Sequence, residues 1–120
     1  MRNQPKYNFF KNTTYALNGL KDLVQNETSF KIELVLVALL LPVILIIDTS
    51  LVNKILMFIS LMGLLIAEAT NSAIERVVDL VTLEHHPMAG RAKDVGSTIV
   101  FLSIGVAVVT WGAVFYSMLS

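Results

Sequence analysis

The hydrophobic positions fall into three long runs preceded by one amphipathic stretch. Residues 34–47 are uncharged and apolar apart from Pro42. With residues 30–33 and Asp48 they approach the roughly 20 residues that a helix needs to cross a bilayer, which predicts a first span over about 29–48. The second run, residues 55–67, meets Glu68 before it is long enough to cross. Its helix must therefore continue into the polar segment, which predicts a span over about 51–80 with a cytoplasmic extension. Residues 95–120 carry no charge and predict a third span over about 92–118, with Trp111 and Tyr116 near one end, where aromatic rings favour the interface. Gly105 and Gly112 either admit a close neighbouring helix or are simply tolerated in a membrane helix.

Ahead of these runs the period changes. At about 100° per residue, Phe9, Phe10, Thr13, Ala16, Leu17, Leu20, Leu23 and Val24 share an arc of roughly 140°. Lys11, Asn12, Thr14, Tyr15, Asn18, Lys21, Asp22 and Gln25 fill the remainder. So clean a sorting predicts an interfacial helix over about 7–26, lying in the plane of one leaflet. Gly19 weakens it and offers room for another helix or a lipid headgroup. The expected architecture is an all-α membrane protein, residues 1–120 forming one domain of three transmembrane helices preceded by an amphipathic surface helix.

Composition agrees with this picture: 55% of the 120 residues are hydrophobic and the mean hydropathy is +0.70. The net charge is zero, which removes the basic surplus that nucleic acid requires. Cysteine is absent, so thiolate metal sites and cysteine nucleophiles are excluded. The N-terminal residues are polar and do not read as a signal peptide, so the first span is expected to direct insertion. Arg2, Lys6, Lys11, Lys21 and Lys31 precede or open the first span, Lys54 alone follows it, and Arg76, Arg91 and Lys93 lie between the second and third runs. The positive-inside rule then puts the N-terminus and second loop in the cytoplasm and the C-terminus outside.

Candidate chemistry concentrates where the second helix turns polar. With Glu68 as zero, Asn71 falls near −60°, Ser72 near +40°, Glu75 near −20° and Asp79 near +20°, so all five share a face. A carboxylate at membrane depth is costly, which makes Glu68 a functional candidate; the outer part of the row also reads as a solvated face leaving the bilayer. Oxygen donors without cysteine suit magnesium and a metal-bound phosphate better than zinc. Glu84, His85, His86, Arg91, Lys93 and Asp94 gather before the third span, where Arg91 and Lys93 can grip phosphate oxygens or simply mark an inner loop. Adjacent histidines do not share a helix face, so His85 and His86 do not form a metal pair by spacing. Glu27 and Glu33 add acids at the start of the first span, with a salt bridge from Glu33 to Lys31 as the simplest use of Glu33. No Gly-rich phosphate loop of the Walker type and no protein-kinase motif is present.

The run Glu68-Ala69-Thr70-Asn71-Ser72-Ala73-Ile74-Glu75, followed by Val78-Asp79, Glu84, His86 and Gly90-Arg91-Ala92-Lys93-Asp94-Val95-Gly96-Ser97, resembles the prokaryotic integral membrane diacylglycerol kinase family. The likeness extends to Tyr15, Gly19-Leu20, Asn26-Glu27, Phe30 and Glu33, nearly end to end. The resemblance implies a homotrimer of the bacterial inner membrane, with active sites shared between subunits, that phosphorylates diacylglycerol to phosphatidic acid with MgATP. It implies Glu68 as general base, with Asn71 lining the catalytic site and Glu27 and Glu75 holding Mg2+. Tyr15, Glu27, Glu75, Glu84, His85, His86, Lys93 and Asp94 match nucleotide-contacting positions, and Glu68, Ser97 and Trp111 match lipid-contacting ones. Where close relatives carry an arginine near the start of the surface helix this chain has Asn8, which leaves Lys6 or Lys11 to supply that phosphate contact or leaves it missing. Two other functions stay in view: an undecaprenol kinase of the same family, and a small proton-coupled transporter using Glu68 as its carrier carboxylate.

Overall fold

The computed structural model describes residues 6–120, so Arg2, counted above among the inner cations, lies outside the described residues. Four helices follow one another: α1 (Phe9–Asn26), α2 (Thr28–Ile46), α3 (Leu51–Val81) and α4 (Pro87–Leu119), with no strand among the described residues. The last three are each long and apolar enough to cross a membrane, and α1 precedes them as the expected amphipathic element.

Local chemistry sets the helix ends. Asn8 is extended, and its Oδ1 accepts from the Lys11 amide at 3.1 Å, an N-cap that satisfies one of the orphan donors of α1. The residue noted above for lacking a cation therefore starts the surface helix. Glu27 is the single residue between α1 and α2; it is extended and caps both. At the other end of α2, the Lys54 ammonium donates to the Leu45 carbonyl at 3.1 Å, while Ser50 accepts from the Asn53 amide to open α3. The helix α4 begins at Pro87, earlier than the run of uncharged residues indicates. Proline suits the first helical position, and His86 Nδ1 accepts from the Met88 amide at 3.1 Å. Arg91, Lys93 and Asp94 are thus helical residues rather than loop residues, and only residues 82–86 connect α3 to α4.

The core sits on α3, which packs against both α2 and α4. On α2 the buried residues Phe30, Val37 and Ile44 recur every seven positions, so one narrow seam faces inward while the rest of this uniformly apolar helix is left for lipid. Pro42 lies in α2 and removes an amide that would have bonded the Ala38 carbonyl. Val37 and Ile44 meet Met57, Leu61 and Leu64 of α3 and Ala107 and Val114 of α4. In a bilayer such contacts act through van der Waals packing and polar pairs, because lipid tails are as apolar as leucine. The polar pair here is Trp111. Its indole N–H reaches Ser60 Oγ at 3.1 Å and the Met57 carbonyl at 3.4 Å, a contact of the kind that contributes about 0.6–2 kcal/mol. Trp111 therefore packs against the bundle core, where its donor is satisfied.

Of the two readings open for Gly105 and Gly112, the structure of this chain fits simple tolerance in a membrane helix. A Cβ at Gly105 or Gly112 would meet nothing within 4 Å, so neither makes a close helix approach in this chain. That role belongs to Gly96, which is buried and where a Cβ would collide with the Asn71 side chain.

Candidate active site

The polar ends of α2, α3 and α4 and the hinge after α1 lie at the same end of the bundle. Glu68 is 6% exposed, and Ser72, one turn on, is equally buried. Asn71 and Glu75 are half-buried and Asp79 is exposed, so the row emerges progressively from the protein. Asn71 Nδ2 donates to Glu75 Oε1 at 3.4 Å, and Asn71 Oδ1 is buried against Gly96 without a protein partner among the described residues. An unpaired buried amide oxygen costs free energy unless a ligand or water meets it.

Glu33 does not pair with Lys31. Its carboxyl lies near that of Glu68 across the α2–α3 contact, and its Oε2 is buried without a hydrogen-bond partner among the described residues. Glu75 and Glu27 lie within electrostatic reach of Glu68, which brings three of the acids singled out from sequence to one locality. Lys93 binds Asp79 at 2.7 Å and also lies within reach of the Glu75 charge. Among the described residues no three acids, histidines or cysteines converge closely enough to form a cation cage. Mg2+ asks for less than such a cage, since one or two protein carboxylates hold it while phosphates and water complete its shell.

The other residues picked from sequence are more dispersed. Tyr15 is half-buried on α1. Glu84 and His85 are exposed in the connector, and His86 is engaged as the cap of α4. Arg91, Asp94 and Ser97 are exposed on the first turns of α4. Trp111 stands several turns deeper, at one end of an apolar groove of ≈ 340 Å³ whose other end is Glu33. Leu36, Leu40, Leu64 and Ala107 line its length.

Sequence reasoning missed one residue outright. Arg76, counted above only as an inner cation, places NH1 2.8 Å from Asp22 Oδ2 and both Nε and NH2 on Glu27 Oε1, at 2.9 and 2.8 Å. Asp22 is held below the usual carboxylate range, first by the hydrogen bond from Asn26 and then by Arg76. The available signal was position: Arg76 falls about 80° from Glu68 on α3, at the edge of the acid row.

Fold and site together define a multi-pass, all-helical membrane protein with a carboxylate-rich polar centre at one end of its spans. Comparison with known proteins makes the class particular. Residues 14–115 match the family model described as prokaryotic diacylglycerol kinase. The chain is 38% identical over 104 residues to a diacylglycerol kinase of Haemophilus influenzae, covering 87% of this chain and 88% of the relative. It is 40% identical over 103 residues to that of Escherichia coli, covering 86% and 84%. It is also similar to an undecaprenol kinase of Bacillus subtilis, 32% identical over 98 residues and covering 80% of each. The chain belongs to the prokaryotic diacylglycerol kinase family, a family of lipid kinases.

Proposed function

We propose that the protein transfers the γ-phosphoryl group of ATP to diacylglycerol, giving phosphatidic acid and ADP, at the cytoplasmic face of a bacterial inner membrane. The observation that carries this reading is the position of Glu68. It is a buried carboxyl at the polar mouth of the α2–α3–α4 bundle, near Glu33, which lines an apolar groove suited to an acyl chain. A lipid lying in that groove presents its headgroup hydroxyl to Glu68 without leaving the interface.

In the reaction the lipid hydroxyl oxygen forms a bond to the γ-phosphorus while the bond from that phosphorus to the ADP oxygen breaks, and Glu68 accepts the hydroxyl proton. Asn71 aligns Glu75 and offers its unpaired Oδ1 to the pocket. Glu27 and Glu75 would hold the divalent cation, which supplies charge neutralisation on the transferred phosphoryl group. Lys93, already within reach of Glu75, adds positive charge beside the nucleotide, with Tyr15, Glu84, His85, His86 and Asp94 as its further contacts. Phosphoryl transfer asks for positioning and electrostatics rather than covalent chemistry, which these residues would supply. Ser97 and Trp111 would contact lipid. A homotrimer sharing sites between subunits is part of the proposal, as is an outward C-terminus.

The second reading, undecaprenol kinase, rests on the similarity to the Bacillus subtilis protein. The test is an assay of purified protein in mixed micelles with labelled ATP, offering diacylglycerol and undecaprenol separately. Faster turnover of diacylglycerol, dependent on Mg2+, is expected; faster turnover of the polyprenol would overturn the choice, and no transfer to either would remove the kinase reading.

A further inference from the structure

Arg76 uses all three of its guanidinium nitrogens to tie α3 to two acids at the end of the surface helix far from it in sequence, Asp22 on α1 and the hinge residue Glu27. None of the described residues of α1 is buried, so packing alone holds this helix loosely. Glu27 is a lone extended residue between two helices with three rotatable side-chain bonds. Its position relative to α3 is therefore not fixed by backbone structure. Both contacts from Arg76 fall on Oε1 of Glu27, which leaves Oε2 outside the clamp. Asp22 is itself pinned, with Oδ1 receiving Asn26 and Oδ2 receiving Arg76.

Arg76 and Asp22 are nearly half exposed, at 43% and 47%, and an exposed ion pair of this kind adds little to global folding, while the Glu27 side chain it also holds is only 25% exposed. What the fork provides is geometry, since a planar guanidinium fixes direction in a way that a lysine ammonium cannot. We infer that Arg76 is a positioning residue: it holds the Glu27 carboxylate at the hinge by one oxygen, so that the other is presented to the divalent cation that accompanies the nucleotide. The inference rests on the assignment of Glu27 as a cation ligand made above.

The test compares wild type with Arg76→Ala, Arg76→Lys, Asp22→Asn and Glu27→Gln. Mn2+ with a non-hydrolysable ATP analogue is titrated into each detergent-purified protein and followed by electron paramagnetic resonance, alongside the Mg2+ dependence of lipid phosphorylation. Arg76→Ala is expected to weaken Mn2+ binding by about 10-fold or more, the effect typical of losing a residue that orients a metal ligand. Turnover at saturating Mg2+ should recover most of its wild-type value, and the unfolding midpoint should hold. Arg76→Lys should resemble Arg76→Ala rather than wild type. Asp22→Asn, which reaches the clamp from α1 without altering α3, should fall between. Unchanged Mn2+ binding in Arg76→Ala overturns the inference, as does tighter binding, which would make Arg76 a competitor of the cation. Should Glu27→Gln bind Mn2+ as wild type does, the ligand assignment itself fails and takes the inference with it. Weakening in Glu27→Gln without weakening in Arg76→Ala overturns only the role of Arg76.

Discussion

The contact between Gly96 and Asn71 makes the sharpest quantitative test of the site's architecture. A methyl group at position 96 would collide with Asn71 Oδ1, well inside the 3.4 Å at which ordinary contact begins. Over-packing of this kind costs about 1–3 kcal/mol. Against it stands the helix preference for alanine over glycine, worth about 0.8–1 kcal/mol in a helix interior. Gly96→Ala should therefore destabilise the wild-type chain by about 0–2 kcal/mol. In an Asn71→Ala background the obstructing amide is gone, and the remaining neighbour is Ile74 Cδ1 at 3.6 Å, an ordinary distance. There the same methyl should stabilise by up to about 1 kcal/mol. The difference, about 1–3 kcal/mol, is the coupling that a double-mutant cycle reads from reversible unfolding in mixed detergent micelles. Lipid phosphorylation measured on the same four proteins should show Gly96→Ala dropping towards Asn71→Ala, because relieving the clash rotates Asn71 away from Glu75. Equal stability effects of Gly96→Ala in both backgrounds would refute the reasoning.

Four further outcomes are expected. Glu68→Gln should lower turnover by about 10²–10⁴-fold with helix content unchanged, the loss typical of removing a general base, as measured by steady-state assay with circular dichroism as control. Lys93→Met should reduce turnover strongly by removing the cation near Glu75, while the Asp79 that it frees, being 48% exposed, should leave stability nearly unaltered in the same unfolding assay. Trp111→Phe keeps most of the packing but deletes the bond to Ser60 and should cost about 0.5–1.5 kcal/mol, whereas in a Ser60→Ala background its cost should shrink. Because Asp22 is held below its ordinary range when folded, its contribution to docking α1 is present above the unfolded carboxylate range. That contribution is lost as pH falls through the depressed folded value. Spin labels on α1 and α3 should accordingly separate on acidification in wild type and show no such step in Asp22→Asn.

What could be read from the sequence was whatever repeats locally. The apolar runs give α2 and α3 because lipid solvates a helix on all sides and length alone decides. The arc of Phe9, Leu17, Leu20 and Val24 gives α1 because a surface helix needs only one sorted face. The acid row was legible for the same reason, since Glu68, Asn71 and Glu75 are set by helical spacing within one element. The start of α4 was obscured by the charges of Arg91 and Lys93, although Pro87 after His86 is itself a readable start signal. Contacts between elements were not legible. Glu33 and Lys31 stand two apart on a helix and point to different sides, and the carboxyl that lies near Glu33 belongs to Glu68 of α3. Arg76 is 49 and 54 residues from its two partners, and nothing in the residues beside it announces them. Gly96 likewise differs from Gly105 and Gly112 only in what the opposite helix brings to it.

The unbroken length of α3 has a mechanical consequence. Its 31 residues extend about 46 Å, against a hydrocarbon thickness of about 30 Å. Since the far end is locked to α2 by the short turn and by Lys54, all surplus length accumulates on the side where Asn71, Glu75 and Asp79 emerge. The helix behaves as a stiff mast stepped in the opposite leaflet. A thicker or thinner host bilayer changes how high those groups stand above the acyl chains, or forces the mast to lean, and so the membrane itself sets the level at which a soluble partner and a lipid headgroup can be brought together.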